Sequence, residues 1–197
     1  MAAAPSVALV SVLCADRVGL VSGIADHLFD AGVNLRDTNF AALGSGAEFS
    51  ALCELPEGLS VETIETALKA LDVLAGAQIR VVPYSFDPNP LETGRVTHRI
   101  AVSGGDQLGL VARLADVFAQ YGANIVRLEA RKLSAAEGGL YVTRFAVFIP
   151  PARADLCLAT VANTAGTLGL DCKVEEGGPS SPPPALRGEA DSPKASG

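Results

Sequence analysis

Apolar positions change period several times along the first part of the chain, and each change marks an element. Val7 to Leu13 is apolar at nearly every position, the pattern of a strand covered on both faces. Leu20, Val21, Ile24 and Leu28 then follow helical spacing, which predicts a helix from about Val18 to Ala31 with one apolar stripe. Gly32 stands where a helix end needs a left-handed residue. Val33 to Leu43 reads as a second strand, and Gly44-Ser45-Gly46 as a turn. Ala47 to Leu55 is a third strand, with Phe49, Ala51, Cys53 and Leu55 on one face. Ser60 suits the N-cap of a second helix carrying Ile64, Ala67, Leu68 and Leu71, and Ile79 to Val82 makes a short fourth strand.

The same order recurs. Val12, Asp16, Gly19, Leu20, Val21, Ala25, Asp26, Gly32 and Asn34 return 90 positions later as Val102, Asp106, Gly109, Leu110, Val111, Ala115, Asp116, Gly122 and Asn124. The second copy predicts a strand at Arg99 to Val102 and a helix bearing Leu110, Leu114, Val117, Phe118 and Tyr121. Strands follow at Asn124 to Leu133 and Leu140 to Ile149, then a helix after Pro150-Pro151, then a strand at Leu170 to Val174. The order β-α-β-β-α-β is the split-βαβ, ferredoxin-like motif. The expected class is therefore α+β: two modules, each with both helices on one face of an antiparallel sheet. The open face of each sheet is expected to meet the other repeat or another chain. The modules are expected at 5–83 and 97–176, with a Pro-rich linker at 84–96. A Gly/Ser/Pro-rich tail at 177–197 is expected to be disordered, because it has too little apolar surface to offset its ordering entropy.

Charge removes one class of partner. The net charge of −7 and a pI near 4.8 repel phosphate backbones, so no nucleic acid is expected. RNA binding on this fold would also need aromatic platforms on the first and third strands, and the first has none. Phe49 and Phe145 read as core residues. No apolar run reaches the roughly 20 residues of a membrane span. No basic segment precedes the first apolar stretch, so neither a signal peptide nor a membrane partner is expected. Cys14, Cys53, Cys157 and Cys172 form no CxxC pair and have no histidine at ligand spacing, which fits reduced, buried thiols in a cytoplasmic protein and no metal. His27 lies between stripe positions of the first helix and His98 starts a strand, so neither has a nucleophile to activate. No enzyme and no cofactor are expected.

One constellation repeats. Asp16-Arg17-Val18-Gly19 with Gly32-Val33-Asn34 is matched by Asp106-Gln107-Leu108-Gly109 with Gly122-Ala123-Asn124. Each Asp-x-x-Gly falls between the first strand and first helix, where helix N–H groups attract an anion. Glycine there lets a ligand approach the backbone. The Asp could cap the helix or accept from a ligand ammonium. Asn34 and Asn124 are expected near the same end of each module, offering the donor and acceptor that suit a zwitterion. The same residues also fit a structural role: an N-cap, a glycine for tight packing, and a helix stop.

These segments, with Ala15 to Val21 and Ala31 to Leu35 in the first copy, resemble the ACT family, whose pattern is Asp-Arg-Pro-Gly-(Ile/Leu/Val), a helix, then Gly-x-Asn-Ile. Phe40-Ala41-Ala42-Leu43-Gly44 and Glu48-Phe49 further resemble the tandem-ACT repressors of the glycine cleavage system. The resemblance covers about residues 5 to 175. Val18 and Leu108 stand where the family usually has proline, which leaves the loop less preorganised. The resemblance implies a regulatory, non-catalytic homo-oligomer that binds a small amino acid, glycine- or serine-like, between modules and acts on a protein partner, a transcription factor or a metabolic enzyme. It implies ligand contacts from Asp16, Gly19, Asn34, Asp106, Gly109 and Asn124. A ligand-free dimerisation module and an accessory enzyme subunit are the alternatives.

Overall fold

The computed structural model describes residues 6–89, 91–105, 107–134 and 139–177. Asp106 and the tail after Gly177 lie outside the described residues, so the expectations for them stay as stated. The chain divides between Asn89 and Pro90 into two compact units, called modules 1 and 2 below.

Module 1 runs β1 (Ser6–Ala15), α1 (Leu20–Asp30), β2 (Asn34–Leu43), β3 (Gly46–Leu55), α2 (Val61–Lys69) and β4 (Gln78–Pro83). Module 2 runs β5 (His98–Gly104), α3 (Leu110–Gln120), β6 (Asn124–Lys132), β7 (Tyr141–Phe148), α4 (Ala154–Thr167) and β8 (Asp171–Glu176). The sheets are antiparallel, ordered β2-β3-β1-β4 and β6-β7-β5-β8. This is the βαββαβ arrangement twice, with the first strand of each copy central.

Period-two burial builds each core. In module 1, Ala8, Val10, Val12 and Cys14 of β1 and Ala47, Phe49, Ala51, Cys53 and Leu55 of β3 pack beneath Leu20, Ile24 and Leu28 of α1 and Ile64 and Leu68 of α2. Module 2 packs Ile100, Val102, Phe145 and Val147 against Leu110, Leu114, Phe118, Cys157 and Val161. Ser60 caps α2, its hydroxyl accepting from the Thr63 N–H at 3.2 Å. Ser60→Ala is expected to lower stability by about 1 kcal/mol. A urea titration would read this as an earlier midpoint with an unchanged slope.

β1 is covered on one face only within module 1, which leaves the open sheet face expected from the sequence. Val7, Leu9 and Ser11 are half-buried on the other face, and Leu13 is 44% exposed. The equivalent face of β5 and its neighbours carries Arg99, Arg144, Lys173 and Glu175 at facing positions, so the two open faces differ in chemistry.

Candidate functional site

The loop from β1 to α1 takes its shape from Gly19. Its φ is +87°, a left-handed value that side chains other than glycine adopt at a cost. Gly109 repeats this at +79° ahead of α3. A β-carbon on Gly19 would meet only the Ser22 hydroxyl at 3.9 Å, and one on Gly109 would meet nothing within 4 Å. Tight packing therefore does not require these glycines; the backbone turn does.

Gly19, not Asp16, is the N-cap of α1, and no side chain caps that helix. The capping role expected for Asp16 is corrected accordingly: a left-handed glycine starts the helix three residues on and leaves Asp16 outside the first turn. The N–H of Gly23 donates to the Gly19 carbonyl at 2.9 Å, while the Ser22 hydroxyl donates to that same carbonyl at 3.1 Å. The Val21 and Ser22 N–H groups precede the first full helical bond and are left for an outside acceptor. Both residues line a concavity of about 580 Å³ together with Asp16, Arg17, Val18, Gly19, Leu20 and Phe40. Unpaired N–H donors and the helix dipole are groups that a carboxylate can accept from, and Asp16 is an exposed carboxylate beside them.

The asparagines lie elsewhere. β2 runs parallel to β1, so its first residue sits at the opposite end of the sheet. Asn34 is in register with Glu54, which is in register with Val7. Asp16, by contrast, follows Ala15, which faces Gly46, and donates its own N–H to the Ser45 carbonyl at 3.0 Å. The separation is roughly 30 Å along the strand. The expectation that Asn34 and Asp16 share an end of the module is therefore corrected, and the same register separates Asn124 from Gly109. Asn34 Nδ2 donates to Glu54 Oε2 at 2.8 Å, and that carboxylate also pairs with Arg36 at 3.4 Å. Asn124 Nδ2 donates to the Thr93 carbonyl at 2.9 Å.

Gly32 and Gly122 end their helices in left-handed turns with φ of +76° and +66°. The following N–H reaches back five residues, Val33 to the Leu28 carbonyl and Ala123 to that of Phe118, each at 2.9 Å. This half of each constellation serves as a helix stop. Phe40 was not among the residues expected at the site. It faces the helices from edge strand β2, where alternation alone reads as core, yet it is 42% exposed beside the loop.

The thiols are shielded. Burial raises Cys53 to about 11 and pushes Cys14, Cys157 and Cys172 upward as well. Among the described residues, no group of three or more His, Cys, Asp or Glu could hold a metal ion, and no helix is long and apolar enough to cross a membrane. His98 Nδ1 lies 2.9 Å from the Thr97 hydroxyl, which also accepts from the Ile149 N–H, a link that ties strand edges together.

No family model and no curated protein matches the sequence. Solved structures do. An unknown protein from Galdieria sulphuraria is 28% identical with a TM-score of 0.69, covering 87% of this chain and 98% of that one. A protein described as a "putative glycine cleavage system transcriptional repressor" is 16% identical with a TM-score of 0.63, covering 86% of this chain and 96% of that one. The second likeness is one of fold.

Proposed function

We propose that this chain, which carries the fold of the tandem ACT-domain proteins, is a non-catalytic cytoplasmic regulator that binds a free amino acid at its first strand-to-helix loop and thereby changes its contacts with a protein partner. The observation that carries this reading is the left-handed Gly19 loop, after which Val21 and Ser22, their N–H groups ahead of the first full helical bond, line an open concavity with Asp16. The N–H groups take the ligand carboxylate and Asp16 its ammonium, so both charged ends of a zwitterion have partners. Module 2 repeats the backbone shape at Gly109, with the Val111 and Ala112 N–H groups ahead of the first full helical bond, from the Arg113 N–H to the Gly109 carbonyl at 3.0 Å. Asp106 is assigned the same role there by sequence position.

The roughly 30 Å between loop and asparagine sets a condition on the site. A ligand held at Gly19 is out of reach of Asn34 in the same module. A site that uses both takes its asparagine from another module placed alongside, which makes ligand binding sensitive to assembly. Such sensitivity is what a sensor needs, since a ligand shifts only an equilibrium between states it binds unequally. The fold shared with a protein described as a transcriptional repressor supports a partner in gene regulation.

Calorimetric titration of the full chain with each free amino acid tests the reading. Saturable heat with at least one of them is expected. Folded protein giving no heat with any would overturn it and leave a module that only associates, for which the half-open apolar face of β1 would be the contact.

A further inference from the structure

The two loops share a backbone but not a wall, and the difference follows from strand register. Val12 of β1 faces Phe49 of β3, which faces Phe40 of β2. Ninety positions on, Val102 of β5 faces Thr143 of β7, which faces Ala130 of β6. Module 1 therefore sets an aromatic ring at the edge of its loop where module 2 sets a methyl group. In module 1 that ring is joined by Val18, fully exposed, and Val21, 41% exposed, all lining the same concavity. Exposing three large apolar side chains in one concave surface costs free energy that a lone structural loop has no cause to carry. α1 places Leu20, Ile24 and Leu28 in the core, so the exposure of Val21 and Phe40 is not needed to seal it.

We propose that module 1 selects an amino acid with a large apolar side chain, which lies against Phe40 and Val21 while its charged end meets the helix start, and that Phe40 is the specificity-determining residue. This rests on the amino-acid reading above and replaces the expected glycine- or serine-like ligand. Glycine would leave the apolar wall in water, and the side chains of leucine and phenylalanine would cover it. Module 2 exposes Leu108 as module 1 exposes Val18, but with Ala130 in place of Phe40 it has no aromatic ring at that position and discriminates less.

The test is calorimetric titration of the full chain with L-leucine, L-phenylalanine, glycine and L-serine. Leucine or phenylalanine is expected to bind more tightly than glycine by on the order of tenfold to a hundredfold. Phe40→Ala is expected to remove most of that preference, and Phe40→Leu to retain part of it. Phe40 is partly exposed at an edge strand, so both variants should fold, with circular dichroism unchanged. Glycine or serine binding as tightly as leucine, or Phe40→Ala leaving the preference intact, would overturn the selectivity while leaving amino-acid sensing in place. No binding by any amino acid removes both.

Discussion

Gly19→Val is expected to abolish amino-acid binding at the module 1 loop while the chain stays folded. A φ of +87° is one that a β-branched residue does not hold without strain, and a left-handed conformation costs a non-glycine residue about 1–2 kcal/mol. The variant escapes by turning the loop out of this shape. The Val21 and Ser22 N–H groups then no longer converge on the concavity, and affinity should fall by at least an order of magnitude. Gly58→Val is the control. Gly58 has nearly the same φ, +85°, with no atom near its would-be β-carbon, but it follows the far end of β3, away from the loop. Both variants should lose similar stability in a denaturant titration. Only Gly19→Val should lose heat in a calorimeter. Equal binding by the two would show that the loop does not hold the ligand.

Phe49→Ala is expected to cost about 3–5 kcal/mol, the range for removing a buried aromatic side chain from a packed core. Phe49 is 1% exposed and lies at the centre of β3, between β1 and β2. For a module of this size that is a large share of total stability, which runs near 0.1 kcal/mol per residue. No buried residue is shared between the two core clusters. Amide exchange should therefore accelerate across β1, β3 and α1 while β5, β7 and α3 keep their protection. Uniform acceleration in both modules would contradict the separate cores.

Much of this architecture was legible in the sequence because its signals are local. Alternating burial in Ala47 to Leu55, the Ser60 cap and the Gly32 stop each depend on a few neighbouring residues and stand in the structure as read, while of the stripe at Leu20, Val21, Ile24 and Leu28 all but Val21, 41% exposed, lie in the core. What failed depended on pairing between distant strands. The repeated constellation reads as placing Asn34 and Asp16 at one end of the module, but β2 starts where β1 starts, so register puts them at opposite ends of the sheet. Asp16 looked like a cap because the capping rule favours side-chain oxygens, and here a left-handed glycine starts the helix instead. Phe40 carried no site signal in the sequence beyond its place in the family resemblance, because only the pairing of β2 with β3 brings it beside the loop. The apolar run of β1 reads as a strand with an open face that meets a partner, and the sheet position shows which face that is.

The claim on which the rest depends is that the Gly19 loop grips a free amino acid. The most direct measurement follows backbone amide signals of isotopically labelled full-length protein as L-leucine is added. Saturable shifts concentrated at Val21, Ser22 and Phe40, with Asn34 and Glu54 at the far end of the sheet little changed, are the expected result. Shifts absent from the loop at saturating ligand, or confined to residues remote from it, would contradict the account.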